Sequence, residues 1–236
     1  MTKSVWSFKQ NDYIERHNLV GQEDGVCLAL ATRWAKMHLK SGGKALGKHA
    51  KTNYFEKATK PGKRAVSAVV AEMQAAFDAA REPAKIQVRA LTTVLEHAWL
   101  QTELDQLPLD QYFQLKEGIH LLMEDQEKLV SNALNRLFAK QNIRVVGKKI
   151  CNSFQDYFGD YEYGFCYVFR CSDLKHAFGA RVEKGYLWND YYLFDPNSGE
   201  MHFDGASQMN AGMAELRKGF GVTGKAERFK VAYSSS

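Results

Sequence analysis

The chain of 236 residues has little of what marks fibrous, disordered or disulfide-stapled proteins. It contains four prolines and no low-complexity tract, which argues against a disordered or collagen-like chain. Four cysteines are too few for a disulfide scaffold of this length and are typical of a reducing compartment: Cys27, Cys151, Cys166 and Cys171. A chain of this size buries roughly 70% of the surface that its unfolded form exposes, so one folded domain over 1–236 is expected without stabilisation by disulfide bonds.

Long apolar runs are also missing. No stretch approaches the ~18 apolar residues of a membrane span, and the first residues, Met1-Thr2-Lys3-Ser4-Val5-Trp6, lack the apolar core of a signal peptide. Thr2 stands where N-myristoylation would require glycine. The expectation is a chain without a transmembrane segment or Sec signal, cytoplasmic in the cell that makes it.

Positive charge is concentrated near the start of the sequence. The net charge is +5, but residues 1–64 carry 13 Lys/Arg against 5 Asp/Glu. Glycine and proline interrupt this stretch, so residues 36–64 are predicted to form a mobile basic loop. Such lysines usually keep a protein soluble, although an anionic surface would fit a group of four of them: Lys40, Lys44, Lys48 and Lys51. Arginine and interleaved aromatic residues are scarce there, so no nucleic-acid partner is expected.

Hydrophobic periodicity divides the chain into three parts. Within 1–62, apolar residues at helical spacing predict a helix that begins near Gly25, with Asp24 as a candidate N-cap. Residues 63–140 carry helical stripes without a chemical motif, as expected of a helical lobe or insertion. From 143 to 236 the period changes to two, which predicts strands at 163–170, 176–182, 191–195, 200–203 and 228–233. Helices followed by an antiparallel sheet indicate an α+β fold.

Three residues from distant stretches combine the types needed for nucleophilic catalysis. Cys27 lies near the first turn of the predicted helix, where the helix dipole favours a thiolate. His176 begins one predicted strand and Asp195 ends another, and pairing centred near Gly185 and Tyr186 would place them directly opposite each other. A register slip of one residue would separate them onto opposite faces. Each residue taken singly is more often structural, but a thiol, an imidazole and a carboxylate together favour catalysis.

The same residues carry a family resemblance. Gly25-Val26-Cys27-x-x-Leu30-x-x-x-Trp34, His176-Ala-Phe and Leu193-Phe194-Asp195-Pro196-Asn197-x-Gly199 resemble the three motif blocks of the YopT-type cysteine proteases. That family lies in the papain-like superfamily and consists mainly of bacterial virulence effectors and toxin domains. The resemblance implies a papain-like fold with a nucleophile helix in the N-terminal lobe and an antiparallel sheet in the C-terminal part.

The resemblance also implies a set of roles. Cys27 would be the nucleophile, His176 the general base and Asp195 its orienting carboxylate, with no cofactor and no metal. Gln22 would supply a side-chain amide to the oxyanion hole beside the backbone N–H of Cys27. The implied reaction is hydrolysis of a protein substrate through a thioester. The implied setting is an effector that a dedicated secretion system delivers into the cytosol of a target cell.

Other interpretations stay open on the sequence alone. Transglutaminases and glutamine deamidases use the same Cys-His-Asp set on a side-chain amide, and a non-catalytic helical adaptor could dock through the basic loop. His202 and Asp204 follow the same turn as Asp195 and are the alternative base and orienter. The run Cys166-x4-Cys171-x4-His176 has zinc-binding types, but structural zinc prefers cysteines two to four residues apart.

Overall fold

The computed structural model describes residues 3–19, 26–42, 46–56, 67–79, 128, 131–151, 161–171, 176–185, 189–220 and 226–234. The chain divides into two compact units, one of Met1–Gln74 with Phe138–Ser236 and the other of Ala75–Leu137. Most of the predicted helical lobe at 63–140 lies outside the described residues. Its described parts, α4 (67–79) and α5 (131–140), are helical.

An antiparallel sheet dominates the first unit. Its strands in the described part of the chain are β1 (Lys3–Trp6), β2 (Ile143–Cys151), β3 (Cys166–Cys171), β4 (His176–Lys184), β5 (Asn189–Asp195), β6 (Gly199–Phe203) and β7 (Ala226–Tyr233). They lie in the order β1-β6-β5-β4-β3-β7-β2, and every neighbouring pair is antiparallel. The predicted α+β class is confirmed.

The remaining helices of this unit are α1 (Gln10–Arg16), α2 (Cys27–Lys40), α3 (Lys48–Glu56) and α6 (Ala206–Phe220). Within the described ranges, none of the helices is both long enough and apolar enough to cross a membrane.

Two helices cover opposite faces of the sheet. Trp34 of α2 stacks on Phe194 of β5, with ring centroids 5.7 Å apart, whereas Met209 of α6 packs into a cluster that contains Leu193. Neighbouring residues on a strand point to opposite faces, so α2 and α6 lie on different sides. Gly179 of β4 brings α2 close, because a Cβ there would lie 2.6 Å from Trp34 Cε3. Helix α2, which begins at Cys27, therefore packs closely on the centre of the sheet.

The prediction of a basic loop at 36–64 is wrong for the part of this range that the structure describes, 36–42 and 46–56. Helix α2 continues through Lys40, and α3 begins at Lys48. Two of the glycines that suggested a loop lie between these helices: Gly42 has φ +65°, and the Gly47 carbonyl accepts a hydrogen bond from the Lys51 N–H. Lys40 and Lys48 are exposed at the two helix ends, and Lys44 lies outside the described residues.

Lys51 cannot serve an external anion, contrary to the prediction. Its side chain is 2% exposed, and its Nζ donates to Oε1 of the fully buried Glu200. The same carboxylate accepts from Trp34 Nε1 at 2.7 Å and from His38 Nε2 at 3.2 Å. A buried carboxylate needs such partners, so α2, α3 and β6 are joined by one polar network inside the protein.

Candidate active site

Cys27 is the first residue of α2, and its side chain is almost fully buried. The N-cap is Val26 rather than Asp24, and Val26 provides no side-chain cap. A helix N-terminus leaves backbone N–H groups without intrahelical partners and favours negative charge there. The sulfur of Cys27 is thus placed where the fold itself stabilises an anion. Gln22, the predicted oxyanion residue, lies outside the described residues.

His176 and Asp195 form a buried hydrogen-bonded pair. His176 Nε2 donates to Asp195 Oδ1 at 2.9 Å, and the two side chains are 9% and 0% exposed. The carboxylate also accepts from the Asn197 N–H at 3.2 Å and from the Ser198 hydroxyl at 2.7 Å. Asp195 therefore shapes its own turn and holds the imidazole at the same time. Three donors on one carboxylate fix its orientation.

The predicted pairing of the two strands is wrong by two residues. Gly179 lies opposite Phe194 and Lys184 opposite Asn189, so the same register sets Phe178, not His176, opposite Asp195. The connection between the last pair has four residues, 185–188, where the prediction required two. A shift of two keeps a residue on the same side of the pleat. His176 is consequently a diagonal neighbour of Asp195, at a distance that long side chains bridge.

The His176 ring also forms a side-chain hydrogen bond with Cys27. Because Nε2 is occupied by Asp195, Nδ1 is the nitrogen left to face the sulfur. Burial is the largest influence on the ring and lowers its pKa, but the hydrogen bonds to Asp195 and Cys27 outweigh it and raise the pKa of His176 to about 9. The imidazole is therefore protonated at neutral pH, in contact with both a thiol and a carboxylate.

A family model described as Yersinia/Haemophilus virulence surface antigen, Peptidase_C58, matches residues 2–231. The chain belongs to the Peptidase_C58 family. This confirms the predicted membership of the YopT-type cysteine proteases. Among curated proteins, none matches the chain.

Two solved structures resemble this Peptidase_C58 chain. The Pseudomonas avirulence protein AvrPphB has a TM-score of 0.54 at 14% identity, over 89% of this chain and 93% of that one. PatoxP, a cysteine protease-like domain of the Photorhabdus asymbiotica toxin PaTox, has a TM-score of 0.31 at 13% identity, over 87% of this chain and 80% of that one. The likeness to AvrPphB confirms the predicted papain-like fold.

Two glutamines bind the start of α2 in this Peptidase_C58 chain, and neither was found from the sequence. Gln10 accepts from the Val26 N–H through its side chain at 3.3 Å and donates its own N–H to the Pro196 carbonyl at 2.7 Å. It thus links the residue before Cys27 to the residue after Asp195. Gln74 of α4 accepts from the Ala29 N–H at 3.4 Å. An isolated amide in a polar stretch gives no signal for such a role.

The alternative base and orienter are not brought to this site. His202 Nε2 lies 2.9 Å from Asp190 Oδ1, and Nδ1 lies 3.7 Å from Asp204 Oδ1. Asp190 is near the start of β5, whereas Asp195 ends that strand. In the part of the chain that the structure describes, these three residues are the group with metal-ligand geometry.

The run Cys166-x4-Cys171-x4-His176, which has zinc-binding residue types, does not bring its two cysteines together. Cys171 lies opposite His176, but Cys166 lies opposite Arg181, five residues further along β3. That separation is about 17 Å on an extended strand, too far for the two cysteines to share a metal ion.

Proposed function

We propose that the chain is a cysteine endopeptidase that cleaves a protein of a target cell, with Cys27 as nucleophile, His176 as general base and acid, and Asp195 as orienting carboxylate. The observation that carries the proposal is the position of the His176 ring, which is hydrogen bonded to Cys27 on one side and to Asp195 on the other. A nucleophile joined to a base that is itself held by a third group is the recurring arrangement of covalent catalysis.

The reaction begins with attack of the Cys27 thiolate on the carbonyl carbon of the scissile peptide bond. Negative charge moves to the carbonyl oxygen, for which the Cys27 N–H at the start of α2 and the Gln22 amide are the proposed donors. The protonated His176 then gives its proton to the leaving amine, and a thioester to Cys27 remains. His176, now neutral, takes a proton from water, whose oxygen attacks the thioester and releases the acid product.

The pKa of His176 suits this sequence of steps. A ring with a pKa of about 9 holds its proton at neutral pH and can neutralise a thiolate beside it. It can also act as the acid that expels the amine. Asp195 supports both properties, because its charge favours the imidazolium and its bond to Nε2 leaves Nδ1 facing the sulfur.

Membership of a family described by a virulence surface antigen supports action outside the producing cell. We therefore propose delivery into a target cell by a dedicated secretion apparatus. A weak contact with an anionic surface through Lys40 and Lys48 is part of the proposal, since both side chains are exposed. Lys51 takes no part in it.

Mass-spectrometric mapping of new protein termini tests the proposal. A target-cell lysate is incubated with the wild-type chain, with Cys27→Ala, or with Cys151→Ala, which alters a fully buried cysteine of the sheet edge. Wild type and Cys151→Ala should create the same small set of new termini, and Cys27→Ala should create none.

Identical termini from wild type and Cys27→Ala would refute proteolysis by this site. Release of ammonia from protein glutamine, with no backbone cut, would assign the site to deamidation instead. The absence of both reactions would point to a non-catalytic adaptor.

A further inference from the structure

A pocket lies where α2 and β4 end, far from the candidate active site. Its volume is about 430 Å³, and it is bounded by the end of α2, residues 163–166 and the last residues of β4. His38 lies about 16 Å along α2 from Cys27 at 1.5 Å per residue. Arg181 lies about 17 Å along β4 from His176. The pocket is therefore separate from the catalytic groups and has the size of a small-molecule site.

Arg181 lines this pocket and carries two N–H groups that are unpaired among the described residues. Its side chain is 3% exposed, and its Nη1 donates to Glu183. Nε and Nη2 have no hydrogen-bond partner among the described residues. These two N–H groups form the edge of a guanidinium that holds a carboxylate or phosphate through two parallel hydrogen bonds. The Tyr192 ring, 4.1 Å from the guanidinium carbon, keeps that plane in place.

His38 also lines the pocket, and it carries an unpaired hydrogen-bond acceptor rather than unpaired donors. Burial is the largest influence on this ring and lowers the pKa of His38 to about 4, so the imidazole is neutral. Burial alone would raise the pKa of Glu200, but the interactions with His38 and Lys51 hold it at about 2. An ionised carboxylate only accepts hydrogen bonds, so the proton of His38 is on Nε2. Nδ1 is then a bare acceptor, and it has no partner in the described part of the chain.

The charges around the pocket favour an anion. Arg181 and the exposed Lys184 are positive, and Glu183 is the one carboxylate among the lining residues. Burial raises the pKa of the Cys166 thiol to about 12, so this lining residue is neutral. The charge of Glu200 behind the pocket is matched by Lys51.

We propose that this pocket binds a small molecule that carries an oxyanion, carboxylate or phosphate, next to a hydroxyl group. The oxyanion accepts from Nε and Nη2 of Arg181, and the hydroxyl donates to Nδ1 of His38. Lys184 lies at the mouth and attracts the anion. Binding fixes the end of α2 to β4, so it raises the thermal midpoint of unfolding.

Isothermal titration of the full chain at constant ionic strength tests the site, with inorganic phosphate and glycolate as probes. At least one probe should bind saturably at one site, with equal affinity in wild type and Cys27→Ala. Arg181→Gln should weaken binding roughly tenfold or more, since it removes a charged bidentate contact. Because that variant also loses the bond to Glu183, Lys184→Glu provides a second probe on the surface. It should weaken binding about threefold or more.

Lys149→Glu is the matched control, because it makes the same charge change on the exposed surface of β2, away from the pocket. The proposal fails if neither probe binds saturably, or if folded Arg181→Gln binds as wild type does. It also fails if Lys149→Glu weakens binding as much as Lys184→Glu. Binding of phosphate alone or of glycolate alone supports the site and identifies the oxyanion that it takes.

Discussion

Replacement of Asp195 by asparagine removes a charge from the candidate site while it preserves the size of the side chain. The asparagine oxygen can still accept from His176 Nε2, now 2.9 Å from Oδ1. What is lost is the negative charge, which together with Cys27 raises the pKa of His176 to about 9. An adjacent opposite charge shifts a pKa by roughly 1–3 units. The pKa of His176 should therefore fall by roughly that amount in Asp195→Asn.

The pH dependence of peptide cleavage measures this shift. Because the leaving amine takes its proton from His176, kcat/KM should fall as pH rises through about 9 in the wild type. In Asp195→Asn the same decline should begin roughly 1–3 pH units lower. The assay uses a substrate identified by terminus mapping and covers the range from acidic to strongly alkaline pH.

Asp190→Asn is the control for that experiment. Asp190 lies on the same strand and is also hydrogen bonded to a histidine, His202, at 2.9 Å. Its replacement should leave the alkaline decline near pH 9, because His202 is not bonded to Cys27. The reasoning is refuted if Asp195→Asn retains the wild-type decline, or if Asp190→Asn moves it equally.

Stability provides the remaining tests, each measured by urea denaturation. Glu200→Gln leaves the buried Lys51 without a counter-charge, so it should lower the free energy of unfolding by about 3–5 kcal/mol. Glu56 belongs to a partly exposed ion pair, so Glu56→Gln should change that free energy by at most about 1 kcal/mol. The free energy of unfolding of the wild type should decline as pH falls from 6.5 towards 4, because in this range His38 takes up a proton in the unfolded chain but stays neutral in the folded one. It should decline again from 4.5 towards 2, because Glu200 takes up a proton in the unfolded chain but stays ionised in the folded one, and a flat acid profile would contradict the buried network. Gly179→Ala places a Cβ 2.6 Å from the Trp34 ring, so it should lower the free energy of unfolding by about 1–3 kcal/mol. Gly47 has open space around it, so Gly47→Ala should change the free energy of unfolding little. Equal decreases in the two variants would be inconsistent with the packing of α2 on β4.

Strands β3 to β7 were predictable because aromatic and β-branched residues alternate within them and turn residues separate them. Strands β1 and β2 were not predicted. Four residues, Lys3–Trp6, are too few to show a period, and their pairing with β6 is brought about by the tertiary fold. Strand β2 does not alternate cleanly, because its exposed residues include Val146 and Ile150 beside charged ones, and its register shifts between Val145 and Gly147.

Lys51 shows why local composition misleads. Its surroundings in the sequence are basic and rich in glycine, which predicts a solvated loop. Its partner, Glu200, lies 149 residues away, and the pair is buried only because α3 packs near the start of β6. No local pattern reports a contact of this kind, so the predicted anion-binding role was wrong.

The candidate site was partly visible in the sequence. Cys27 could be placed at a helix start, and His176 and Asp195 at strand ends, because glycine and turn residues mark those boundaries. Their register was wrong by two residues, because turn residues alone do not determine the length of a connection. Gln10 and Gln74 could not be found, since each accepts from a backbone N–H that only the folded chain brings to it. The role of Gln22 remains a prediction.

Selective alkylation tests most directly whether Cys27 is activated by His176. Iodoacetamide is added at neutral pH, and modification of each cysteine is followed by mass spectrometry. All four cysteines are buried, but Cys27 should react far faster than Cys151, Cys166 and Cys171, because its sulfur is hydrogen bonded to the His176 ring. His176→Gln should slow the reaction of Cys27 and leave the other three unchanged. Equal, slow labelling of all four cysteines, or an unchanged rate at Cys27 in His176→Gln, would contradict the account.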